Sequence, residues 1–142
     1  MTILDSNVAS QIVKQEQSDA GTLHFFNDIA VVEFNEGVHV DLNTARKTIH
    51  DLIHYFGNSK PFGLIANRVN SYSISLLETL EVKSIFPNLV AYGVVSHNYA
   101  GRMNAEIESN FCASQNISFD NLYEGLHAVH KKVIEQIAIS IN

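Results

Sequence analysis

The side chains with most capacity for chemistry gather in four places, and two of them are quickly weighed. The segment 50-HDLIH-54 carries two histidines four apart on what reads as a helix, the spacing with which His50 and His54 could share a zinc ion. Asp51 stands where a general-base glutamate would be needed, and its shorter side chain does not reach a metal-bound water. Ile49, Leu52, Ile53 and Phe56 claim the apolar face, so both histidines turn toward water, and no third ligand stands out. Two solvated histidines and no metal are expected. Cys112, the single cysteine, falls near the end of a helix, where the helix dipole disfavours a thiolate. It reads as a small half-buried residue. One cysteine allows neither an internal disulfide nor a multi-cysteine metal site. The sequence also lacks a Gly-x-Ser-x-Gly elbow, a glycine-rich phosphate loop and a dinucleotide fingerprint. No catalytic residue and no cofactor are expected, and the chain reads as a non-enzyme.

The other two places are polar loops, 67-NRVNSYSIS-75 and 96-SHNYAGRMN-104. In the first, Ser75 could cap the next helix while Asn70 and Ser71 make a turn, an account that leaves Arg68 and Tyr72 unexplained. The competing reading is a binding or switch surface, because free N–H groups at a helix start together with an arginine suit an anion. The second loop repeats the arrangement with His97, Asn98, Tyr99 and Arg102, although Arg102 could simply pair with Glu106. The candidate ligand- or partner-binding set is therefore Asn67, Arg68, Asn70, Ser71, Tyr72, Ser73, His97, Asn98 and Arg102. The stretch 33-EFNEGVHVD-41 would add Glu36 and His39 if it lies at the same end of the fold, with Gly37 in a turn.

The elements that must position these residues follow from hydrophobic periodicity. Runs 22-TLHFF-26 and 29-IAVVEF-34 flank Asn27-Asp28 and predict a hairpin. Segment 42–56 places Leu42, Ala45, Ile49, Leu52, Ile53 and Phe56 on one helical face, with Asp41 to cap it and Gly57 after it. The runs 62-FGLIA-66 and 89-LVAYGVV-95 read as strands buried on both faces. Ser75 and Glu78 have capping-box spacing before a short helix with Leu76, Leu77 and Leu80 inward. A helix over 100–113 places Ala100, Met103, Ile107 and Phe111 inward. A short strand 117-ISF-119 then precedes a last helix, which Asn121 and Glu124 could box and which buries Leu122, Leu126, Val129, Val133 and Ile137. The order ββαβαβαβα predicts an α/β fold, a mostly parallel sheet with an antiparallel N-terminal hairpin edge and helices covering it. In such sheets ligands sit beyond the carboxyl ends of the parallel strands, where both polar loops fall.

Residues 1–20 are polar and weakly patterned and read as an N-terminal arm, irregular or forming an extra strand, ahead of a single domain over 21–142. The composition, 46% hydrophobic and 17% charged, is that of a folded chain. A net charge of −6 with scattered lysines and arginines argues against nucleic acid or an anionic membrane surface. The N-terminus has no signal-peptide pattern, and no apolar run approaches the about 20 residues needed to span a bilayer. A cytoplasmic protein without integral membrane association is expected. A homodimer is compatible with an exposed edge strand.

Taken together, EFNEGVHVD, KPFGLIANRVNSYS, FPNLVAYGVVSHN and RMNAEIESNFC resemble the short bacterial SpoIIAA-like proteins, also described as STAS/CRAL-TRIO-like. The resemblance covers about residues 22–133. It implies the STAS fold and a regulatory or protein-interaction module akin to anti-sigma-factor antagonists, with the 67–75 loop as interaction surface. Its CRAL-TRIO side implies the alternative, a small-ligand or lipid-binding domain with a polar site at the strand ends. In phosphoregulated STAS domains the switch serine follows the third strand in an Asp-Ser-Ser/Thr-Gly-type motif. The matching 70-NSYSIS-75 makes Ser71 and Ser73 the candidate phosphorylation sites, although Asn70 replaces the acid and no glycine follows.

Overall fold

The computed structural model describes residues 1–79, 81–98, 103 and 118–141. In chain order the strands are β1 (Lys14–Gln17), β2 (Gly21–Phe25), β3 (Ile29–Phe34), β4 (His39–Val40), β5 (Phe62–Arg68), β6 (Ser73–Ile74), β7 (Leu89–Ser96) and β8 (Ser118–Phe119). The helices are α1 (Arg46–Phe56), the single turns α2 (Leu76–Thr79) and α3 (Val82–Ile85), and α4 (Leu122–Ile141). Six strands form one sheet in the order β1-β2-β3-β5-β7-β8, and β4 and β6 form a separate pair. β1 pairs antiparallel with β2 and β2 with β3, whereas β3, β5, β7 and β8 are mutually parallel. The chain is thus an α/β protein with a mostly parallel sheet. β1 is an extra strand within residues 1–20, one of the two forms expected of that arm, and it extends the antiparallel edge. The expected order differs in that the polar segments beyond β3 and β5 pair with each other.

The hairpin at Asn27-Asp28 forms as its residues suggest, with Phe26 N–H donating to Ile29 O at 2.8 Å. It sets the pairing of His24 with Val31 and of Thr22 with Glu33. β3 then lies beside β5, which is buried over its whole length because both faces are covered. One face packs against α1 through Phe25, Val32, Phe34, Leu52, Phe56, Phe62 and Leu64. The other packs against α4 and the N-terminal segment through Ile3, Val31, Ile65, Val95, Leu122 and Val129. Gly63 lets α4 approach closely, since a Cβ there would sit 2.2 Å from Val129 Cγ1.

Several local expectations need correction. The helix expected from residue 42 begins at Arg46, because residues 42–45 form turns. Asp41 Oδ1 accepts from Thr44 N–H at 2.8 Å and closes that turn instead of capping α1 directly. Thr48 takes the inward position in place of Ile53, which is 45% exposed. The Ser75–Glu78 box does not close at its glutamate. The Glu78 carboxylate accepts from Leu42 N–H at 2.7 Å, and Ser75 N–H goes to Val40 O. Leu77, expected inward, is 76% exposed, since one helical turn has no second turn to fix a buried face. Met103 is also exposed instead of inward. The other residues of the helix expected over 100–113, including Arg102 and Cys112, lie outside the described residues, as do Tyr99 and Leu80.

The last helix meets its start signal. Asn121 Oδ1 accepts from Glu124 N–H at 2.8 Å, and the Asn121 amide lies 3.4 Å from the Glu124 carboxylate. Its stripe of Leu122, Val129 and Val133 is fully buried. The first twenty residues are ordered into β1, a 3₁₀ turn over Ala9–Gln11, and a segment whose Ile3 is fully buried. His50 and His54 project into solvent with their rings stacked at 6.2 Å.

Candidate functional site at the strand carboxyl ends

Strand alternation divides the polar residues at the carboxyl ends of β3, β5 and β7 between two faces. Glu33, Asn67 and His97 project toward the α4 side with Val31, Ile65 and Val95, and Arg68 and Ser96 project toward the α1 side. β5 runs on through Asn67 and Arg68, so both residues belong to a buried strand and not to the loop in which they were expected. The reason is the partner strand. β7 continues to Ser96 and supplies ladder positions opposite both residues.

On the α4 side four side chains form a row. His24 Nε2 lies 3.2 Å from Glu33 Oε1, and Glu33 Oε2 accepts from the Asn67 amide at 2.7 Å. Asn67 Oδ1 in turn lies 2.9 Å from His97 Nε2. The ionised carboxylate is only an acceptor, so His24 carries its proton on Nε2; the Asn67 carbonyl oxygen requires the same of His97. The row is closed from above by the chain's own N-terminal segment. Ile3 N–H donates to Glu33 Oε2 at 2.9 Å, and the second Asn67 N–H donates to Met1 O at 3.0 Å. Burial pushes the Glu33 carboxyl up, but the donors from His24, Ile3 and Asn67 together outweigh it and leave the group below its ordinary value. Burial likewise lowers His97, helped by the positive amino group of Met1 and opposed by Glu33.

On the α1 side the Arg68 guanidinium lies over the Tyr72 ring, 4.9 Å from its centroid, and Tyr72 meets Phe34 edge-on. Burial raises the Tyr72 hydroxyl, with the Arg68 charge opposing. Ser96 is 1% exposed, and its hydroxyl has no hydrogen-bond partner among the described residues.

Beyond these buried groups the two loops are laced into a ridge. Gly37 N–H donates to Ser71 O, Ser73 N–H to Val38 O and Ser75 N–H to Val40 O, at 2.8, 3.0 and 2.8 Å. Ser71 N–H reaches the Glu36 carboxylate at 2.8 Å, and Asn70 donates to Phe34 O at 3.0 Å. The Ser73 hydroxyl sits 2.7 Å from His39 Nδ1. Gly37, at φ 78°, makes the turn into β4.

The structure therefore separates the expected site residues into three environments. Asn67 and His97 join the α4-side row, Arg68 and Tyr72 form the α1-side stack, and Asn70, Ser71 and Ser73 belong to the ridge, with Glu36 and His39 brought to the same end. Asn98 is exposed next to His97, and Arg102 lies outside the described residues. His24 and Glu33 were missed because each sits inside an apolar run. Their signal is the hairpin register, which places them diagonally on one face of β2 and β3. Among the described residues no group of three or more His, Cys, Asp or Glu side chains is placed to hold a metal ion. No described helix is long and apolar enough to cross a membrane. Comparison of the chain with protein-family models, with curated proteins and with solved structures finds no match.

Proposed function

We propose that this chain is a non-enzymatic regulatory module that binds a protein partner through the β4/β6 ridge. The observation that carries this reading is the main-chain lacing of residues 71–75 to residues 37–40, which holds an exposed segment in one conformation. A surface ordered before contact loses little conformational entropy on binding, which favours recognition. The ridge displays Ser71, Ser73 and His39 and continues to the exposed Leu77, giving a polar strip with an apolar tip. The resemblance to SpoIIAA-like, STAS-domain proteins supports the same region, and Ser71 and Ser73 are its exposed hydroxyls. A photo-crosslinking amino acid placed at Leu77 should trap a discrete partner in extract of the native host. The same residue at Asn58, at the opposite end of the sheet, should not. Equal labelling from both positions, or none from Leu77, removes the reading.

The alternative, a small-ligand domain of CRAL-TRIO-like type, draws on the α1 side. A buried hydroxyl on Ser96 beside the Arg68–Tyr72 stack suits a small acid. Thermal unfolding with millimolar inorganic phosphate and with a short-chain fatty acid checks it, a raised melting temperature lost in Arg68→Met being the expected result.

A further inference from the structure

The sheet ends on one side in β1, and among the described residues no strand lies beyond it. Its hydrogen bonding shows which groups that edge leaves open. Ser18 N–H donates to Gly21 O at 2.9 Å, and the pairing runs on regularly through Glu16 with Leu23 to Lys14 with Phe25. Hydrogen-bonded positions alternate along an antiparallel pair, so Lys14 and Glu16 turn their main chain toward β2. Gln15 and Gln17 turn theirs outward, and both residues are exposed. An edge of this kind is a template for another strand unless proline, a bulge or charge blunts it. β1 has no proline, and its register is uninterrupted from Lys14 to Gln17. It does carry charge, one residue of each sign, two apart and so on the same face. That face is the α1 side, because Glu16 also reaches Lys47.

Those two charges select one register. A two-fold axis perpendicular to the sheet sets β1 antiparallel to its copy, with opposed residues on the same face. Centring the axis on Gln15 brings the outward main-chain groups of the two Gln15 residues together. It also sets Lys14 opposite Glu16 of the second copy, and Glu16 opposite that copy's Lys14. Both fall at non-hydrogen-bonded positions, where cross-strand side chains approach most closely and opposite charges stabilise the pair. The neighbouring symmetric registers fail on charge: centring on Glu16 opposes two carboxylates, and centring on Lys14 opposes two ammonium groups. The charges that repel other pairings therefore favour this one. Little is displaced in forming it. Within one chain Lys14 Nζ lies 3.2 Å from Glu16 Oε1 and Lys47 Nζ 3.4 Å from Oε2. Lys14 exchanges its own Glu16 for that of the copy, and Lys47 keeps its place.

We propose that β1 is the interface of a homodimer in which two copies join their sheets antiparallel, with Gln15 on the two-fold axis. The contact uses none of the ridge residues, so it stands or falls independently of the β4/β6 surface. A strand of four residues makes a small interface, so the dissociation constant is expected between about 1 µM and 1 mM. Sedimentation equilibrium of the full chain across that range should show monomer passing into dimer. Gln15→Pro removes an outward N–H and sets a ring on the edge while leaving the bonds to β2 in place, and it should abolish the dimer. Lys14→Glu and Glu16→Lys each set like charges opposite one another and should each weaken association about tenfold. Mixing these two variants, or combining both changes in one chain, should restore it. A chain that stays monomeric throughout overturns the proposal. So does a dimer that survives Gln15→Pro, or single reversals that associate as tightly as the unaltered chain. If Gln15→Pro does not fold, amide exchange in the unaltered chain decides. The Gln15 and Gln17 amides should exchange about tenfold more slowly at the top of the concentration range than at the bottom, and rates independent of concentration overturn the proposal.

Discussion

The Asn67 amide and the Glu33 carboxylate, 34 residues apart in the chain, meet at 2.7 Å across β5 and β3. Asn67 is the joint of its row, because the same side chain reaches His97 and the main chain of Met1. Asn67→Ala leaves Glu33 Oε2 with a single donor, Ile3 N–H, and strips His97 Nε2 of its acceptor. Water can replace the acceptor lost by the exposed His97 ring, so the cost comes from the donors taken from the Glu33 carboxylate and Met1 O, about 1–3 kcal/mol, and that loss is expected in urea unfolding with an unchanged m-value. Asn67→Asp should cost more at neutral pH, since it sets a second carboxylate against Glu33.

Acid should weaken the fold in two stages. His97 and Glu33 both have folded pKa values below their ordinary 6.5 and 4.5, so the unfolded chain binds more protons than the folded one in each window. Stability is then present above the ordinary value and is lost as pH falls through the folded value, first for His97 and then for Glu33. Urea midpoints measured from pH 8 to pH 3 should therefore decline with acid, and Glu33→Gln should flatten the lower stage. The same substitution removes the one group that raises His97, so its ring titration followed by NMR should move to still lower pH.

How far the sequence reaches is clear from these residues. Asn27-Asp28, the apolar runs on either side, and the 122–137 stripe are local signals, and each forms its element where local chemistry places it. The carboxyl ends of β5 and β7 are also where the polar loops begin. Periodicity could not say that β5 runs on through Asn67 and Arg68, because that depends on β7 offering a ladder as far as Ser96. Nor could it show Glu78 turning to Leu42, a bond between residues 36 apart that competes with the local capping box. His24 and Glu33 are legible only once the hairpin register is drawn.

The ridge offers a test of whether its lacing is what fixes it. Ser73→Ala removes an exposed bond to His39 and should cost at most about 1 kcal/mol. Gly37→Ala meets no steric obstacle but forces a left-handed conformation, costing about 1–2 kcal/mol. Amide exchange should separate the two. Ser71, Ser73 and Ser75 should lose protection in Gly37→Ala, and the Ile65 amide in the sheet should not.

The approach of α4 to β5 at Gly63 gives a prediction with an internal control. Gly63→Ala would place a methyl 2.2 Å from Val129 Cγ1 and 3.3 Å from Val133 Cγ2, and the helix backbone behind them is held by Leu122 and Val133 in the core. Overpacking of this kind costs about 1–3 kcal/mol, which should lower the urea midpoint. Val129→Ala alone should also destabilise, by opening a cavity. Because one change supplies the volume that the other removes, the double substitution should be less destabilised than the sum of the two, with a coupling of about 0.5–3 kcal/mol. Additive effects would show that α4 shifts outward as a body to relieve the clash, and the contact at Gly63 would not then set the helix position.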